Sequence, residues 1–207
     1  MDRHDVDWEG SFTATITPFA EDGSLDETAL RRHVDFLIGH GIDGLVPNGC
    51  TGEFWAQTLD ERKRVAEIVV DAARGRVPVI VGTGCPATRD VIELTRHAKA
   101  IGADGAMIMA PYMVHPKKED LYHHFKAVSD RVSLPVMIYN NPQDVGNDIP
   151  LDLMERLCDL TTVVALKDST FDFNVFWKTE CLLGERIRVF IGPSTMFGAP
   201  AIQMGAD

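Results

Sequence analysis

A lysine closes an apolar run in Val163-Val164-Ala165-Leu166-Lys167-Asp168. An unpaired ammonium is costly to bury, and burial favours the neutral amine, a nucleophile toward carbonyl carbon. A second apolar run, Met137-Ile138-Tyr139-Asn140-Asn141-Pro142, closes with a tyrosine that can both give and accept a proton. If the two runs are neighbouring strands, about 4.8 Å apart, amine and phenol can meet on one face. A third stretch, Asn48-Gly49-Cys50-Thr51-Gly52-Glu53, sets glycines on either side of two small polar residues. That composition suits a tight turn whose amides point at an anion such as a carboxylate. Each feature also has a plainer use. Lys167 can reach water or pair with Asp168, Tyr139 can be a core aromatic, and glycines serve any strand-to-helix turn.

Strands and helices must place these residues. Runs rich in Val, Ile, Leu and Met predict strands at 12–17, 44–47, 77–82, 105–109, 134–139, 163–167 and 189–191, apolar on both faces as in a buried parallel sheet. Helix-length segments lie between them. Ser24 with Glu27, and Thr58 with Glu61, have capping-box spacing, and Pro150 suits a first helical turn. Leu30, Val34, Phe36 and Leu37 on one helix, and Val65, Ile68 and Val69 on the next, form apolar faces to lie on the sheet.

Seven βα units give an α/β fold with a parallel sheet, either an open doubly wound sheet or a (β/α)₈ TIM barrel. The turn His40-Gly-Ile-Asp-Gly-Leu-Val recurs as Ile101-Gly-Ala-Asp-Gly-Ala-Met and again as Met204-Gly-Ala-Asp207, without its strand. The expectation is therefore a barrel whose eighth strand begins just past residue 207. Residues 10–207 form this incomplete barrel domain, and residues 1–9 an N-terminal extension. Neither GxGxxG after the first strand nor GxxxxGK[ST] is present to support a nucleotide-binding open sheet.

Composition narrows the function classes. The 207 residues carry 20 basic and 31 acidic side chains, for a formal charge of −11. With no basic cluster, this points away from nucleic acid as a partner. No apolar run approaches the roughly 20 residues of a membrane span, and the first ten residues lack a secretory apolar segment. Cys50, Cys85, Cys158 and Cys181 are scattered without CxxC spacing, which fits a reduced, cytoplasmic protein without structural zinc. His123 and His124 are helix neighbours facing different ways, and are read as solvated. His115 falls in the loop after strand 4, and Cys85 after strand 3 reads as a buried, inert thiol. Asp168 and Ser169 either orient the lysine or cap the following helix.

Taken together, Thr17-Pro18-Phe19, Gly49-Cys-Thr-Gly-Glu53, Pro111-Tyr112, Tyr139-Asn-Asn-Pro142 and Leu166-Lys167-Asp168 stand in order at successive strand ends. Over residues 10–207 this pattern resembles the dihydrodipicolinate synthase/N-acetylneuraminate lyase family of class I, Schiff-base aldolases. The resemblance implies that Lys167 forms an imine with pyruvate or another 2-keto acid, and that Tyr139 moves protons at the imine nitrogen and substrate oxygen. It implies that Gly49, Cys50 and Thr51 hold the keto-acid carboxylate, with Tyr112 and Gly192 completing the substrate-binding set. It also implies small-molecule keto-acid and aldehyde substrates, no cofactor or metal, no nucleic-acid or membrane partner, and a homodimer or homotetramer.

Three positions depart from the family's synthases. Cys50 replaces the usual Thr or Ser, and a thiol is a weaker hydrogen-bond donor. Met113 stands where a second tyrosine directly follows the one matched by Tyr112. Asp144 replaces an arginine that grips the aldehyde's carboxylate, which reverses the charge. With Phe54 and Trp55 nearby, Met113 suggests a more apolar acceptor, although Trp55 can equally pack under the following helix. Alternatives within the family are a hydratase-aldolase or a keto-deoxy sugar-acid aldolase or dehydratase. A different class of function is a non-catalytic paralogue that keeps the barrel and binds a keto acid as a sensor.

Overall fold

The computed structural model describes residues 1–207. Strands and helices alternate along it: β1 (Phe12–Ala14), α1 (Glu27–Gly39), β2 (Gly44–Val46), α2 (Leu59–Ala73), β3 (Ile80–Gly82), α3 (Thr88–Ala100) and β4 (Gly105–Met109). Then follow α4 (Lys118–Ser129), β5 (Val136–Asn140), α5 (Pro142–Val145), α6 (Leu151–Leu157), β6 (Val163–Asp168), α7 (Phe173–Leu183), β7 (Arg188–Ile191) and α8 (Ser194–Gln203). No helix is long and apolar enough to cross a membrane.

The chain forms two compact units. One comprises Trp8–Thr83 and Glu93–Met107. In it β1 pairs parallel with β2 from Phe12 opposite Gly44 to Ala14 opposite Val46, a Leu45–Val79 bridge joins β2 to β3, and β3 pairs parallel with β4. Leu30, Val34, Val65, Ile68 and Val69 are buried on α1 and α2, so the apolar stripes do face inward. Phe36 is a correction: it is 59% exposed, because two residues on from Val34 lies off the buried stripe. Thr58 and Glu61 make the expected capping box on α2. Ser24 does not cap α1. Its hydroxyl donates to Asp22, and Asp26, directly before the helix, accepts from the Ala29 amide instead.

The other unit comprises Met1–Asp7, Gly84–Ile92 and Ile108–Asp207. Here β5 pairs parallel with β6 and β6 with β7, and all five residues of β5 are buried. Pro150 is the N-cap of α6 rather than a residue of its first turn. The first residues are held to this unit. The Arg3 amide donates to the Arg186 carbonyl, and Asp207 accepts from both Arg3 and Arg188.

Candidate active site

The register of β5 against β6 sets Tyr139 directly opposite Lys167. Residues opposite one another in a parallel pair share a face, so the expected meeting of amine and phenol occurs. Lys167 is half-buried and its Nζ lies 4.6 Å from the centre of the Tyr139 ring, within cation–π range. Beyond the ladder the strand ends are stitched further. The Ser169 amide donates to the Asn140 carbonyl at 2.8 Å, and the Gly192 amide to the Asp168 carbonyl at 2.6 Å. A Cβ at Gly192 would displace the Ser169 hydroxyl and crowd the Asp168 carbonyl oxygen at 2.9 Å.

The residues after Tyr139 form a hydrogen-bonded network. Asn140 Nδ2 donates to Asp148 and to the Ile149 carbonyl, and Asn140 Oδ1 accepts from the Ile149 amide, which ties down the loop after α5. Asn141 is buried, and its Nδ2 donates to Tyr139 Oη at 2.8 Å and to Asp144 Oδ2 at 2.7 Å. Asp168 does not cap the following helix. Its Oδ1 accepts from the Thr170 amide and hydroxyl, and Asp172 caps α7. Burial pushes the Asp168 carboxyl above the ordinary carboxylate range, against the pull of those two Thr170 bonds. Tyr112 is half-buried in the loop after β4, where Asn147 Nδ2 holds the Pro111 and Val114 carbonyls at 2.6 and 2.7 Å.

Gly49, Cys50 and Thr51 belong to the first-described unit, at the C-terminal end of β2. They enter a one-turn 3₁₀ helix whose own bonds use the amides of Gly52 and Glu53. Cys50 is half-buried and Thr51 exposed. Asn48 and Glu53, on either side, take left-handed backbone angles with φ of 57° and 54°, a conformation uncommon for residues other than glycine. The turn is held from several directions. Thr17 Oγ1 and Gln57 Nε2 donate to the Gly52 carbonyl, and Asn48 Nδ2 donates to the Arg62 carbonyl. Arg62 is itself 2% exposed, and its Nη2 donates to the Gly82 carbonyl at 2.9 Å.

Several expectations need correcting. Phe54 is buried, with the Arg62 guanidinium 5.1 Å over its ring. Trp55 is 61% exposed rather than packed under a helix. Met113 is exposed as well, on a left-handed backbone with φ 65°. His124 is not solvated. It is buried, Nδ1 is 2.9 Å from Thr88 Oγ1, and burial lowers its pKa to about 4. His123 and His115 are exposed. Cys85 is buried as expected, and burial pushes the Cys158 thiol up to about 12. Two residues escaped the sequence reading. Arg62 stands three and four residues before the buried Val65 and Ala66, a charged member of an apolar stripe. Asn141 carries no signal in the sequence beyond its place in the Tyr139-Asn-Asn-Pro142 motif.

A lysine and a tyrosine side by side on adjacent parallel strands, in a run of βα units, define a strand-end amine site of the α/β class. The chain belongs to the dihydrodipicolinate synthetase family, whose model matches residues 7–207. It is 44% identical over 163 residues to the 4-hydroxy-tetrahydrodipicolinate synthase of Nitrobacter hamburgensis, covering 79% of this chain and 55% of that protein. The dihydrodipicolinate synthase structure from Aquifex aeolicus matches with a TM-score of 0.92 and 38% identity, over 96% of this chain and 68% of that one. YagE from E. coli K12, a member of the dihydrodipicolinic acid synthase family solved with pyruvate, matches with a TM-score of 0.93 and 32% identity, over 98% of this chain and 69% of that one. The fold is thus that of the (β/α)₈ barrel, incomplete here with seven strands, and the open doubly wound alternative is set aside. The chain spans little more than half the length of the Nitrobacter relative.

Proposed function

We propose that the protein is a lyase acting on pyruvate or a related 2-keto acid through an imine on Lys167. The observation that carries this reading is the register of Tyr139 with Lys167, which puts a phenol beside an amine at the strand ends. The neutral amine attacks the keto carbon. Protons delivered to the departing oxygen release it as water and leave the imine, which serves as the electron sink for making or breaking a carbon–carbon bond. Tyr139 supplies and recovers these protons. By the family pattern, Gly49, Cys50 and Thr51 take the keto-acid carboxylate, and Tyr112 and Gly192 contact the substrate. Residues 10–207 are read as one barrel domain, with residues 1–9 as its extension.

The second partner is read from Asp144. Its carboxylate lies two hydrogen bonds from Tyr139 Oη, where a guanidinium would favour an aldehyde bearing a carboxylate and an anion repels one. The acceptor is accordingly a carbonyl compound without a carboxylate at that end. Four cysteines outside any disulfide fit a reduced, cytoplasmic setting, and a homodimer or homotetramer follows the family.

Borohydride reduction in the presence of pyruvate, followed by peptide mass mapping, tests the chemistry. The adduct is expected on Lys167, with none in Lys167→Ala. Tyr139→Phe should still be trapped, at a rate lower by about 10²–10⁴-fold. Labelling elsewhere, or none, removes the imine reading. Turnover of aspartate semialdehyde in preference to uncharged aldehydes removes the acceptor reading.

A further inference from the structure

We infer that Asn141, held by Asp144, is a positioning residue for the proton-transfer function of Tyr139. The inference rests on the proposed role of Tyr139 and concerns side chains that the family pattern does not assign to it. Both Asn141 Nδ2 hydrogens are committed, one to Tyr139 Oη at 2.8 Å and one to Asp144 Oδ2 at 2.7 Å. Asn141 is 4% exposed, so neither bond is easily exchanged for water.

The direction of these bonds matters. An ionised carboxylate only accepts, so Asp144 selects the amide orientation that presents nitrogen rather than oxygen. The flipped amide would set its carbonyl against the carboxylate. Asn141 Oδ1 is buried without a hydrogen-bond partner, so the observed orientation is held by the nitrogen side alone. Tyr139 Oη is therefore an acceptor toward Asn141, and its own hydrogen is directed elsewhere. When the phenol gives up that hydrogen, the amide remains as a donor to the phenolate, a bond stronger than the neutral one. Lys167 from β6 lies over the Tyr139 ring, and Asp144 from α5 reaches it through the amide. The aspartate in place of the family's arginine thus has a task of its own. It fixes the amide that supports the tyrosine.

Rapid-quench borohydride trapping with pyruvate is the test, run on the unaltered protein and on Asn141→Leu, Asp144→Asn, Asp144→Glu and Tyr139→Phe. Asn141→Leu should reach the same final adduct on Lys167 but at a rate roughly tenfold lower or more, the worth of one charge-assisted hydrogen bond. Asp144→Asn, which no longer dictates the amide's orientation, should be intermediate, and Asp144→Glu should recover most of the rate. In a Tyr139→Phe background Asn141→Leu should have no further effect, because the two act as one unit. A tenfold loss that persists in that background, or an unchanged rate in Asn141→Leu, overturns the inference. Absence of any adduct in the unaltered protein would instead remove the imine reading. The hydrogen bond is then judged without pyruvate, by tyrosinate absorbance titration with Tyr139→Phe as the blank. Asn141→Leu should move the Tyr139 midpoint up by about one pH unit. An unmoved midpoint refutes the positioning role.

Discussion

Replacing His124 with glutamine should flatten the acid side of the protein's stability profile. His124 lies inside α4, its Nδ1 against Thr88 Oγ1, and its Nε2 is buried with no hydrogen-bond partner. Protonation would create a buried N–H and a charge there, and burial accordingly lowers the pKa from 6.5 to about 4. The folded state prefers the neutral ring. The associated stability is complete above about pH 6.5 and is lost as pH falls toward 4. At 1.36 kcal/mol per unit, this one group removes about 2 kcal/mol between pH 7 and pH 5. Glutamine keeps a polar group for Thr88 and cannot be protonated in that range. Urea unfolding at pH 7 and pH 5 measures the difference, and comparing slopes between the two proteins cancels the carboxylates they share. The variant should lose about 2 kcal/mol less than the unaltered protein over this interval. Equal losses would mean that His124 titrates as if in water, and the burial argument would fail.

Gly82→Ala should destabilise the fold, because a Cβ there would lie 2.1 Å from the Asn48 carbonyl oxygen, a backbone atom with little room to move. A loss of about 1–3 kcal/mol in denaturant titration is expected, and a neutral outcome would show that the β2 turn can shift. Burial, reinforced by Asp207 and opposed by Arg3, raises the Glu180 pKa to about 7. The stability this carries is present below about pH 4.5 and lost as pH rises through 7, so Glu180→Gln should raise Tm at pH 8 but not at pH 5. Allowing for its partial exposure, the gain is about 1–2 kcal/mol, and a pH-independent effect would contradict it.

The strands were legible because parallel strands buried on both faces leave an unbroken apolar run. Residues 105–109 coincide with β4; β1, β2 and β3 fall inside their runs, β5 is displaced toward its C-terminal end, and β6 and β7 each reach one residue beyond theirs. The run at 12–17 is shorter as a strand, since Thr17 turns its hydroxyl to Gly52 instead of continuing the ladder. Lys167 and Tyr139 were legible as a pair because each stands at the end of the apolar run of its strand, and successive strands of βα units lie side by side. Side-chain choices among equivalent neighbours were not. Sequence does not say which of His123 and His124 turns inward, nor that Asp26 outcompetes Ser24 for the end of α1. The Tyr139–Asn141–Asp144 chain was hidden for another reason: it depends on the left-handed turn at Gly146 and on α5, which is only four residues long.

Each ladder described above joins a strand to its successor in the chain: β1 to β2, β2 to β3, β3 to β4, β5 to β6 and β6 to β7. That pattern bears on how the polypeptide acquires structure while it is being made. Each pairing closes a loop of one βα unit, so the entropic cost of closure stays nearly constant along the chain. At roughly 5–20 residues per second, a ribosome delivers each new strand within seconds of the one it docks against. The order of synthesis and the order of assembly can therefore run together, and an apolar strand waits only briefly with its edge uncovered.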